Sequence, residues 1–255
     1  MSKTLVFVKR NLTELSSDVL SYIFCIAFPL VMLVIMSVLN DSIPKEANMT
    51  VFRIDNLSGG ILVFGQTFVM LFTAILVATD KSSSFLMRLY ATPMKSRNFT
   101  HGYIIPMLMI SVVQSLVTVI ASVIISLISG VSLEPLGVLL VIFTSLPSAL
   151  MFISIGMIFG TLFSEKSAPG MCSVIISLGS FLGGVFFDAE GIGGVMHKIC
   201  TCMPFIYCTR TARASIRLDF GMESFVFPFL ITLLIAIILV MLATAVFNSR
   251  MKADH

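Results

Sequence analysis

Apolar residues run along this chain in long blocks separated by short polar punctuation. Six blocks, at residues 19–39, 58–79, 104–128, 136–163, 168–187 and 224–247, contain no Asp, Glu, Lys, Arg or His. A helix needs about 20 such residues to cross roughly 30 Å of hydrocarbon, and every block reaches that length. A closed barrel would instead show alternating segments of about ten residues. Lipid leaves no partner for an open backbone, so each block is read as a helix. The fold expected is an all-α integral membrane protein with six transmembrane helices in a single domain. The first block follows Lys9 and Arg10 as a signal peptide would, but it is too long and lacks a small-residue cleavage site, so it is read as a retained span.

Two segments between the blocks have patterns of their own. Residues 3–18 place Leu5, Val8, Leu12 and Leu15 at helical spacing, with Lys9, Arg10 and Glu14 on the other side. That one-sided stripe predicts a helix lying in the membrane interface. Residues 188–223 are longer than a turn needs and remain largely apolar, with Ile199, Met203, Phe205, Ile206 and Tyr207 among them. Glycines 183, 184, 191, 193 and 194 precede them. Glycine breaks at membrane depth require shelter by protein or a cavity, so short re-entrant helices are expected here before the last span.

Residues 80–103 read DKSSSFLMRLYATPMKSRNFTHGY. Serines start a helix over 82–91, Phe85, Leu86 and Leu89 share one face with Arg88 beside them, and Thr92-Pro93 ends it. Composition leaves two uses open for such a helix: docking on a partner, or resting on lipid headgroups.

Composition narrows the function classes. The chain is 57% hydrophobic and 11% charged, too few charges to cover a water-soluble globule of 255 residues. A formal charge of +3 is too small to steer phosphate backbones, which removes nucleic acid as a partner. With both termini cytoplasmic, ten Lys and Arg fall on inner segments (3, 9, 10, 81, 88, 95, 97, 166, 250, 252) and six on outer ones (45, 53, 198, 210, 213, 217). This favours that orientation, with Arg210, Arg213 and Arg217 as its weak point.

Missing chemistry is equally informative. There is no G-x-x-x-x-G-K-[ST], so the chain does not cradle nucleotide phosphates by itself. His101, His197 and His255 stand outside the blocks without metal-ligand spacing. No histidine lies in a block to activate Ser180, and Gly179 and Ser180 are read as small residues for helix packing. The blocks carry no carboxylate for ion coupling. Gln66 and Gln114 are costly in lipid and belong to a protein interior or a cavity wall. Pro29, Pro106, Pro147 and Pro228 are expected to kink their helices. Cys200, Cys202 and Cys208 are read as free thiols in a half-buried segment, one disulfide among them being the alternative.

The order of these features resembles the type-2 permease family of ATP-binding-cassette exporters, in its drug- and antimicrobial-exporting branch. The most specific portion runs from Asp80-Lys81 through Arg88-Leu89-Tyr90-Ala91-Thr92-Pro93 to Gly102. There Asp80 replaces the usual Glu, serines replace a Gly-Thr pair, and Tyr103 follows Gly102 where Lys is common. The resemblance implies a permease subunit with no catalytic residue and no cofactor of its own, ATP and Mg being held by a partner ATPase. It implies a second permease, identical or homologous, in the cytoplasmic membrane of a prokaryote. Residues 82–91 would be the coupling helix, with Phe85, Arg88 and Leu89 on the ATPase. The export pathway would draw on the first, second and fifth spans, through Phe24, Phe28, Gln66, Met70, Cys172 and Ile176. Such an uncharged lining suits an amphiphilic drug, lipid or antimicrobial peptide. A polysaccharide-exporting relative and a stand-alone passive transporter are the alternatives.

Overall fold

The structure of the chain, a computed structural model, describes residues 3–19, 23–43, 50–83, 96–187 and 193–253, and ten α-helices follow one another among these described residues. They are α1 (Lys3–Ser17), α2 (Phe28–Ser42), α3 (Ile54–Ser82), α4 (Ser96–Ser129), α5 (Pro135–Thr144), α6 (Leu146–Leu162), α7 (Ala168–Leu182), α8 (Gly194–Cys202), α9 (Phe205–Ile216) and α10 (Phe227–Ala253). No strand occurs among the described residues. Residues 84–95, which hold most of the expected coupling helix including Phe85, Arg88 and Leu89, lie outside them, as do residues 188–192.

Among the described residues, five helical stretches are long and apolar enough to cross a membrane: Ile23–Ser42, Ile54–Ser82, Asn98–Ser129, Pro135–Leu162 and Met222–Arg250. The block at 168–187 is the exception to the six expected. Its helix α7 has 15 residues and rises about 22 Å, short of ~30 Å of hydrocarbon. Gly183 follows its last residue, and Gly184, at φ +67°, turns the chain left-handed. The apolar run continues to Phe187, but the helix does not.

The prolines act in three ways. Pro29 and Pro228 each follow a turn of π-helix, Ile23–Ala27 and Met222–Val226. A proline has no N–H for the carbonyl four residues earlier, here Cys25 and Ser224, and both carbonyls lie in those wider turns. Pro147 sits at the break at Ser145 that divides the fourth block into α5 and α6. Pro106 is carried inside α4.

Helix α3 forms the centre, buried along nearly its whole length. Its closest neighbour is α6, which offers Gly156 and Gly160 one turn apart. A Cβ at Gly156 would lie 2.3 Å from the Met70 carbonyl oxygen, and one at Gly160 would lie 2.6 Å from that of Ala74. This is the small-xxx-small contact by which membrane helices approach without a hydrophobic drive between them. Around this pair lie α4, α7, α9 and α10, and α2 leans on α3 from the side.

Helix α1 forms over the expected residues, and its aliphatic stripe is divided between the protein and the exposed side. Phe7, Val8, Asn11 and Leu15 face inward, whereas Leu5 is 51% exposed. The Phe7 ring lies over Gly102 of α4, edge-on to Phe99 and Tyr103 with centroids 6.1 and 5.0 Å away. The segment after α7 holds two short helices, and α9 buries Phe205, Ile206, Cys208 and Ala212 within the bundle. A stacked pair, Phe205 and Phe152 at 6.0 Å, joins α9 to α6.

Candidate functional site

The last turn of α3 carries adjacent opposite charges, Asp80 and Lys81, immediately before residues 84–95. Asp80 is 1% exposed, and a carboxylate cannot be held so deeply without partners. Arg10 of α1 grips it with both terminal nitrogens at 2.7 Å, and the Tyr103 hydroxyl of α4 donates to Oδ2 at 2.7 Å. Asn11 donates to the Gly102 carbonyl at 3.0 Å. Arg10 also meets Glu14, one turn along α1, at 2.7 Å. Burial pulls the Arg10 pKa down, but the hydrogen bond and charge of Asp80 outweigh it and raise the guanidinium above its ordinary value. Burial pushes the Glu14 carboxyl up, with Arg10 opposing and Asp80 adding to the rise.

Lys81 turns to the other side. Its ammonium donates to the carbonyls of Thr161 and Phe163 at 2.9 Å each, where α6 ends with unsatisfied acceptors and the negative end of its dipole. Ser82 adds a hydrogen bond to Glu165 at 2.9 Å. Two successive residues therefore bind α3 to α1 and α4 on one side and to α6 on the other.

Tyr103 accounts for its own place in the sequence. Where a lysine would set a second cation beside Arg10, the phenol supplies a neutral donor to Asp80. Asp80, Lys81 and Tyr103 were all visible in the motif. Arg10 and Asn11 complete the cluster from 70 and 91 positions away from their partners, a separation the motif does not display.

The six residues expected along the pathway fall into separate surroundings. Phe24 and Phe28 lean on Phe64, Phe68 and Phe72 of α3 in a row of rings 5.3–6.3 Å apart, and both stay more than a third exposed. Gln66 is fully buried, donating to the Ser145 carbonyl at 3.3 Å and accepting from the Ser148 hydroxyl, so it closes the break between α5 and α6. Met70 and Cys172 share one apolar cluster, with Ile176 packed at its margin. Gln114 is likewise interior, donating to the Leu62 carbonyl at 3.4 Å and to Thr118 at 3.2 Å. Within one chain the six therefore fall into three places: Phe24 with Phe28, Met70 and Cys172 with Ile176, and Gln66 at the break between α5 and α6.

At the opposite end of α3, two arginines of α9 and its end, Arg213 and Arg217, act as staples. Arg213 donates to the carbonyls of Asn56 at 3.0 Å and Gly184 at 2.7 Å, and Arg217 binds the Asn56 side chain and meets Asp55 at 3.3 Å. Arg210, Arg213 and Arg217 line a cavity of 590 Å³ with His197, Asp219 and Glu223. All five cysteines are free thiols, and Cys202 alone is exposed. No group of three or more His, Cys, Asp or Glu that could hold a metal occurs among the described residues.

Comparison with known families matches residues 2–217 to the family described as ABC-2 type transporter. Comparison with individually curated proteins finds no match.

Proposed function

Because the chain belongs to the ABC-2 type transporter family, and is therefore the membrane permease part of such a transporter, we propose that it is driven by a separate ATPase that docks on residues 82–91. The observation that carries this reading is the anchoring of both sides of that segment. Asp80 and Lys81 precede it and hold α1, α4 and α6; Phe99 and Tyr103 follow it and pack on α1. A displacement imposed on residues 84–95 is thus delivered to four helices at once.

ATP closes a pair of ATPases, the closed pair holds the segment in one position, and the helices follow. The differential affinity of ATP for the two states supplies the bias, which is why the permease needs no titrating group in its spans. In this reading both termini are cytoplasmic, and a second permease, identical or homologous, completes the pathway. The exposed row of Phe24 and Phe28 faces it, and an amphiphilic drug, lipid or antimicrobial peptide moves outward. Helix α7 is completed as the fifth of six spans by the apolar residues that follow it, and α8 and α9 dip into the outer leaflet.

If residues 82–91 form the coupling helix, Phe85, Arg88 and Leu89, three and four apart, share the face that docks. Burying an aromatic ring and a leucine contributes roughly 1.5–3 kcal/mol each. The double variant Phe85→Ala with Leu89→Ala is therefore expected to lose ATPase co-purification and cargo-stimulated hydrolysis while still inserting into the membrane. Full ATPase binding and transport by this variant would refute the docking assignment.

A further inference from the structure

An apolar groove of 410 Å³ opens between α1 and the start of the spans, away from the Asp80 cluster. It is walled by Leu12 and Leu15 of α1, Ile26 of the π-helical turn, and Met109, Ile110 and Val113 of α4, with Lys9 and Thr13 at its α1 side. Lys9 and Thr13 also line an adjoining, more open cavity with Arg10 and Glu14. The lining thus passes from hydrocarbon to charge along one path. Met109 and Val113 are half exposed, so one wall faces the bilayer.

We propose that this groove holds one anionic phospholipid of the leaflet at the Asp80 end, its acyl chain along α4 and its headgroup on Lys9. Depth supports the occupant. From Tyr103, level with the α1 contact, to Val113, α4 climbs about 15 Å, half of the ~30 Å hydrocarbon thickness and so one leaflet. Charge supports the headgroup. Arg10 is committed to Asp80 and Glu14, whereas the neighbouring Lys9 is exposed and meets no carboxylate among the described residues. An ammonium at the membrane surface beside an apolar slot recognises a phosphate whose tail fills that slot. The site lies beside α1 and α4 rather than on the Phe24 and Phe28 row, and it does not depend on the transport reading.

The chain has no tryptophan, so one introduced indole reports alone. Val113→Trp places it at the groove, and Ile124→Trp places a control three turns along the same face of α4, where the side chain is 53% exposed. The full-length protein is reconstituted in phosphatidylcholine vesicles, and indole fluorescence is quenched with brominated-chain phosphatidylglycerol or brominated-chain phosphatidylcholine. Half-maximal quenching at position 113 is expected at about five-fold lower mole fraction of the anionic lipid, the factor that one lysine near a charged surface contributes, and at equal fractions for both lipids at position 124. Lys9→Glu should remove the preference and Lys9→Arg should keep it. Lys9→Gln gives a second reading in which no new negative charge is introduced. Equal quenching by both lipids at position 113, the same preference at position 124, or a preference that survives Lys9→Glu and Lys9→Gln would each overturn the proposal.

Discussion

Removing Arg10 should harm the protein more than removing Arg10 and Asp80 together. The partners differ in exposure: the Asp80 side chain is 1% exposed and the Arg10 side chain 33%. Arg10→Met leaves a carboxylate buried with the Tyr103 hydroxyl as its remaining donor from this cluster, and breaking a buried pair from one side costs about 3–5 kcal/mol. Partial access of water at Arg10 lowers this to about 2–3 kcal/mol, on the order of 5–10 °C in unfolding midpoint for a chain of this length. Asp80→Asn leaves Arg10 at the surface with Glu14 at 2.7 Å and keeps an oxygen for Tyr103, so about 1–2 kcal/mol is expected. In the double variant no buried charge remains, and its midpoint should return close to that of Asp80→Asn alone. Thermal unfolding of the purified protein in one detergent, followed by loss of the monodisperse species, measures all three. A double variant less stable than Arg10→Met would show that the two residues act independently and would refute the reasoning.

Three further outcomes are expected. Gly156→Leu drives a side chain into the Met70 carbonyl and should destabilise by about 1–3 kcal/mol or more, whereas Gly170→Ala, with nothing within 4 Å, should leave the midpoint unchanged. Burial raises the Glu14 pKa above 4.5, so the folded state binds its proton more tightly than the unfolded state does. Glu14→Gln should therefore gain slightly on wild type at neutral pH, and the gain should fade as pH falls through the raised value toward 4.5, as read by melts across that range. Thiol labelling of the folded protein should modify Cys202 first, with Cys25, Cys172, Cys200 and Cys208 reacting after unfolding, as mass spectrometry of the labelled peptides would resolve.

The long spans were legible because transfer to lipid depends on summed apolar length, which a sequence displays directly. Where helices stop inside an apolar run was not legible. Residues 168–187 carry no charge and reach the length of a span, yet Gly183 and Gly184 end α7 at Leu182. Which side of α1 turns to the protein was not legible for a related reason. Lipid and protein interior are both apolar, so an aliphatic stripe does not say which face turns inward. Leu5 of the aliphatic stripe is exposed, while Phe7 and Asn11 make the contacts with α4, one ring over Gly102 and one amide on its carbonyl. The glycine pair on α6 carries a readable signal, GMIFG, whereas at Gly179 an added Cβ would lie an ordinary 3.6 Å from the Phe205 ring. At the Asp80 cluster the acceptor was visible and the donor was not, because Arg10 lies 70 positions away.

Asp80 and Lys81 are neighbours on a helix, so their side chains leave α3 about 100° apart. That angle makes them an indexing mark for the whole span. One extra residue between Gly160's contact and Asp80 would turn the terminal charges by a further 100° relative to the packed face, and no rotation of α3 could then present its flank to α6 and its carboxylate to Arg10 together. An extra residue after Ser83 disturbs neither. The span therefore tolerates changes of length on one side of this mark and not on the other, and its rotational setting about its own axis is specified by two consecutive letters of the chain.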